Sequence, residues 1–117
     1  MTITLYHNPR CSKSRQALQL LQDNGVEPII HRYLDQPLDA DALRQLIQRT
    51  GLSTQAIMRS NEDEFKAANL GREDITDDEL IEALVKTPKL LQRPIADDGQ
   101  RAIIGRPPED VLALLSP

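Results

Sequence analysis

"TITLYHNPRCSKSRQALQLLQDNGVEPIIHRY", residues 2–33, holds a strand, a helix, a second strand and the chain's only cysteine. "TITLY" alternates polar and apolar residues, with Ile3 and Leu5 on one side, which is the period of a half-buried strand. Asn8-Pro9 ends it, because Pro9 has no backbone N–H and biases Asn8 away from helix. A helical stripe of Ala17, Leu18, Leu20 and Leu21 follows. It closes at "DNG", where Gly25 can take the left-handed conformation that ends a helix. "PIIHRY" reads as another strand. Two strands joined through a helix are expected to run parallel.

The middle of the chain reads as helix. Asp39 is placed to cap a helix carrying Leu43, Leu46 and Ile47 and ending at Gly51. Ser53 can cap a short turn through Met58, and Phe65 and Leu70 mark another apolar face before Gly71. "TDDE", residues 76–79, fits a capping box in front of Leu80, Ile81, Leu84 and Val85. Thr87-Pro88 looks like a further cap and first helical position. The last third changes character. "PIADDGQRAII" is two short apolar runs around Asp98-Gly99, a hairpin pair. "RPPEDVLALL" reads as a loop and a closing helix that starts at Pro107 or Pro108. The order is β-α-β, a helical insertion, then β-β-α. It predicts an α/β fold with a small mixed sheet and helices packed on it. There is no repeat or linker, and 117 residues suit one domain spanning 1–117.

Composition narrows the function. Hydrophobic residues at 39% and charged residues at 27% are those of a globular protein. A net charge of −4 without a basic tract argues against nucleic-acid binding. No stretch approaches the ~20 apolar residues of a membrane span, and the N-terminus lacks the pattern of a signal peptide. One cysteine can form neither an internal disulfide nor a zinc-finger ligand set, so no metal site is expected. The expected location is the cytoplasm, where thiols stay reduced.

Cys11 falls between the first strand and the first helix, at the strand end where α/β sheets bind ligands. A helix N-terminus favours a thiolate over a thiol, and Arg10, Lys13 and Arg15 would lower the pKa further. His7 could hydrogen-bond there or carry a charge, and Ser12 and Ser14 add hydroxyl donors. The same features bind an oxyanion. The plainer alternative is that Cys11 is a small inert core residue and that the basic residues form a solvated helix face. Polar and charged neighbours set Cys11 off the apolar stripe, which favours the reactive reading.

"YHNPRCSKSR", residues 6–15, resembles the active-site motif of the ArsC family, the glutaredoxin-coupled arsenate reductases with a thioredoxin-like fold. "YLDQP", "AIMRSNE", "LLQRPI" and "GRPPEDVL" resemble further family segments in family order. The resemblance implies that Cys11 is the nucleophile attacking arsenate and that His7, Ser14 and Arg15 support its thiolate. It implies that Arg59, Arg93 and Arg106 surround the oxyanion and that the bond before Pro94 is cis. It also implies glutathione as co-substrate, with no bound cofactor, and a glutaredoxin partner; the protein is expected to act as a monomer. Forked guanidinium donors suit that chemistry, since a thiolate attacking an anion must overcome repulsion.

One departure stands out. Family arsenate reductases usually read Gly-Thr after the cysteine, where this chain has Ser12-Lys13. Two alternatives follow from the resemblance: a glutathione-dependent thiol reductase acting on another substrate, and a regulator that binds RNA polymerase like the Spx proteins. The second relies on a C-x-x-C switch, and Ser14 stands where its second cysteine would be.

Overall fold

A computed structural model describes residues 2–115. Four short strands, β1 (Thr4–Tyr6), β2 (Ile29–His31), β3 (Ile95–Asp97) and β4 (Ala102–Ile104), form one sheet in the order β2-β1-β3-β4. β1 and β2 are parallel, pairing Tyr6 with His31. β3 runs antiparallel to both β1 and β4, pairing Ile95 with Tyr6 on one side and with Ile104 on the other. Helix α1 (Ser12–Asp23) links β1 to β2, as the strand–helix–strand reading requires. Helices α2 (Ala40–Thr50), α3 (Asp63–Ala67) and α4 (Asp77–Lys86) make the insertion, and a 3-10 helix at Pro108–Leu115 closes the chain. Among the described residues, no helix is long and apolar enough to cross a membrane.

Alternation along the strands divides the core in two. Ile3, Leu5 and Ala96 face α1 and the closing helix, joining Ala17, Leu21, Val111 and Leu114. Tyr6, Ile95 and Ala102 face the opposite way, toward Leu43, Leu46, Ile81 and Leu84 of α2 and α4. Both sheet faces are therefore covered, with a burial contribution of roughly 1.5–3 kcal/mol per large side chain.

The caps follow the sequence closely. Asp39 accepts from Ala42 N, and Gly51 ends α2 at φ 71°. Thr76 and Glu79 exchange both bonds of the capping box. Ser53 accepts from Ala56 N at 3.2 Å, ahead of a short 3-10 turn. Three details differ. Thr87 makes no side-chain cap, and Pro88 opens a 3-10 turn rather than an α-helix. The hairpin turn is centred one residue later, on Gly99-Gln100, because Asp97 pairs with Ala102. Asp98 flanks that turn and accepts from the N–H groups of Gln100 and Arg101. Gly99 supplies the positive φ of 94°.

Topology brings four segments to one end of the sheet. The loop to Cys11 leaves β1 there, and the stretch to Tyr33 leaves β2 beside it. Antiparallel pairing puts the start of β3, with Arg93 and Pro94, next to the end of β1. β4 then delivers Gly105 and Arg106 to the same end.

Candidate active site

Cys11 is the N-cap residue of α1, with extended backbone dihedrals of −93° and 123°. Its sulfur is partly exposed, so it is neither core nor fully open. The first turn of α1 contains no acidic residue. Its partial positive charge is thus left uncompensated, whereas α4 begins with Asp77, Asp78 and Glu79. Burial is the largest influence on Cys11, and it favours the neutral thiol. The N–H of Ser14, the Arg93 guanidinium and the N–H of Lys13 together outweigh it. These N–H groups face the sulfur without closing a full capping bond. The net result is a thiol that titrates below its ordinary value.

Ser14, His7 and Asn8 lock the loop from inside. Ser14 is fully buried; its hydroxyl accepts from Asn8 N at 3.1 Å and lies 2.7 Å from His7 Nδ1. Burial first, then Arg32 and Arg15, push the His7 pKa down. A neutral imidazole with its proton on Nε2 lets Ser14 donate to Nδ1 while its oxygen accepts from Asn8 N. The hydrogen-bond partner of His7 is thus Ser14. Arg15 braces the same loop from outside, donating from Nη1 to Pro9 O at 2.9 Å. Ser12 and Lys13 are exposed on the first turn.

Two of the three arginines meet at the sulfur. Arg106 donates from Nε to Arg93 O at 2.9 Å, and its Nη2 lies 3.8 Å from Cys11 Sγ. Arg93 also acts on the sulfur, by hydrogen bonding and by its positive charge, and lowers its pKa. The Arg93-Pro94 bond is cis, as the resemblance implies, and so is Arg106-Pro107. Arg59 is held differently. Its backbone N–H donates to Leu90 O at 2.7 Å, and its Nε pairs with Glu62 at 3.1 Å. It acts electrostatically on the Tyr33 hydroxyl.

Residues 6–114 match the model of the ArsC family. This chain belongs to the ArsC family. It is 47% identical over 114 residues to an uncharacterized protein, YfgD, of Escherichia coli K12, covering 97% of this chain and 96% of that one. It is 39% identical over 116 residues to a Haemophilus influenzae protein named arsenate reductase, covering 98% and 100%. Among solved structures, one described as an arsenate reductase from Vibrio cholerae superposes with a TM-score of 0.94 at 42% identity, covering 97% of each chain. The fold is the thioredoxin-like one of these ArsC proteins.

In this ArsC-family chain, one residue at the site escaped the sequence reading. Tyr33 ends the strand read as "PIIHRY" and begins "YLDQP", with no chemical role assigned to it. Its hydroxyl feels Arg93, Cys11 and Arg59, and burial raises its pKa to about 12. The available signal was a tyrosine at the exit of the second strand, on the same sheet end as the cysteine loop.

Proposed function

We propose that this ArsC-family protein reduces arsenate to arsenite, with Cys11 as nucleophile, glutathione as co-substrate and a glutaredoxin as the resolving protein. The observation that carries this reading is a partly exposed, low-pKa sulfur with Arg106 Nη2 3.8 Å away and Arg93 alongside. Guanidinium groups there bind the arsenate oxygens and offset the repulsion between thiolate and anion. Cys11 attacks arsenic, forming a sulfur–arsenic bond and releasing an oxygen as hydroxide, which leaves as water once protonated. Glutathione then attacks the adduct, and glutaredoxin resolves it. Over the cycle two thiols give up two electrons and two protons, arsenic goes from the +5 to the +3 state, and one oxygen leaves as water. The reducing thiols come from outside, which is consistent with a chain holding a single cysteine.

A cleft of about 340 Å³ beside the loop has Arg10 and Arg32 in its wall. It offers glutathione, which carries two carboxylates, a place to dock. A glutathione-dependent reaction fits the cytoplasm, where thiols stay reduced. The test is arsenate-dependent NADPH oxidation with glutathione, glutaredoxin and glutathione reductase. Turnover in the wild type and none in Cys11→Ser is the expected result. A wild type that shows no arsenate-dependent oxidation would overturn the reading.

A further inference from the structure

Tyr33 is 1% exposed, and its hydroxyl has no hydrogen-bond partner. The only other side-chain polar atom in that condition among the described residues is Arg93 Nε. Buried polar groups in folded proteins are almost always paired, so two orphans in one place call for an explanation. They are not scattered. Arg93 acts on both the Tyr33 hydroxyl and the Cys11 sulfur, and the hydroxyl also feels the sulfur. The Tyr33 ring lies among Leu38, Leu43, Leu84 and Leu91, an apolar bed that a phenylalanine would fill equally well. The hydroxyl is the part of Tyr33 that feels Arg93, the sulfur and Arg59.

We propose that Tyr33 is a substrate-binding residue: its hydroxyl and Arg93 Nε together donate to oxygens of the tetrahedral oxyanion that Cys11 attacks. This rests on the oxyanion reading of the site and adds a donor to it. The pairing is complementary in charge. Arg93 brings a positive charge that stabilises both the thiolate and the anion. Tyr33 brings a neutral donor, which binds an oxygen without further weakening the nucleophile. With its pKa pushed up to about 12, the hydroxyl keeps its proton at neutral pH. It is also preorganised, since the buried ring cannot swing away.

The experiment compares wild type and Tyr33→Phe by the rate of Cys11 alkylation with iodoacetamide over a range of arsenate concentrations, each protein referred to its own rate without arsenate. Melting temperatures are measured in parallel. The expected result is that Tyr33→Phe needs at least about fivefold more arsenate for the same protection, as for one lost hydrogen bond to a charged group, with a melting temperature equal to the wild type or higher. Equal protection of both proteins overturns the role of Tyr33 and leaves the oxyanion reading standing. A lower melting temperature for Tyr33→Phe shows that the hydroxyl already has a partner in the folded chain, and also overturns it. A wild type that arsenate does not protect removes the oxyanion reading, and this proposal with it.

Discussion

The sulfur of Cys11 is pulled two ways. Burial favours the thiol, while backbone N–H groups and the Arg93 guanidinium favour the thiolate and win. Removing Arg93 should therefore shift the balance back. Arg93→Ala is expected to move the titration midpoint of Cys11 upward, so that alkylation near pH 7 slows, because a smaller fraction of the sulfur is ionised there. The pH profile of the iodoacetamide reaction measures this; a midpoint that does not move would place Arg93 outside the sulfur's surroundings. His7 is pushed toward its neutral form by burial first and then by Arg32 and Arg15. The Ser12-Lys13 departure is physically mild, since both side chains are exposed at the start of α1.

The elements meet at the site through close backbone approach. Gly105 N donates to Pro94 O at 2.8 Å, which fastens the end of β4 to the segment entering β3. A Cβ on Gly105 would lie 2.8 Å from Pro94 Cγ and 2.9 Å from Val111 Cγ1. The proline ring cannot rotate aside, so the two segments must separate. Gly105→Ala is expected to cost about 1–3 kcal/mol as overpacking, measured by urea denaturation. It should also raise KM for arsenate, because Arg93 and Arg106 flank the contact and are tied to each other by the Arg106 Nε bond to Arg93 O. Wild-type stability in the variant would mean that the segments can part without cost.

At the scale of the whole molecule, a part-buried ion pair ties α2 to the sheet face it covers. Arg49 of α2 grips Asp97 of β3 through three hydrogen bonds of 2.7–3.1 Å, from Nε and Nη2. Asp97 is 5% exposed, and it also accepts from Gly99 N at the hairpin turn. Breaking such a pair from one side strands a buried charge. Arg49→Leu is expected to destabilise the protein by about 3–5 kcal/mol, seen as a lower urea midpoint. A change under about 1 kcal/mol would mean that Asp97 finds water or another donor. The pair lies away from the sulfur, so any folded Arg49→Leu protein should keep the Cys11 titration of the wild type.

Local features were legible in the residues because their causes are local. The alternation of Ile3 and Leu5, the Asp39 and Thr76 caps and the Gly51 terminus each depend on neighbours within a few positions, and each stands where the pattern put it. The cysteine loop was readable for the same reason, since a strand end, a proline and a helix start determine it together. Other features depend on partners far away in the chain. Ile29 and Ile30 look like core residues, yet β2 is an edge strand and Ile29 remains 55% exposed. Arg49 and Asp97 are 48 positions apart and carry no sequence mark of pairing. Three arginines were expected around the oxyanion; the fold sets Arg93 and Arg106 beside the sulfur, and Arg59 pairs with Glu62. Tyr33 joins them only because parallel pairing of β1 and β2 brings their exits together. Periodicity and capping are short-range physics and are written along the chain, whereas convergence of side chains at a sheet end is set by strand order, which arises only when the chain folds.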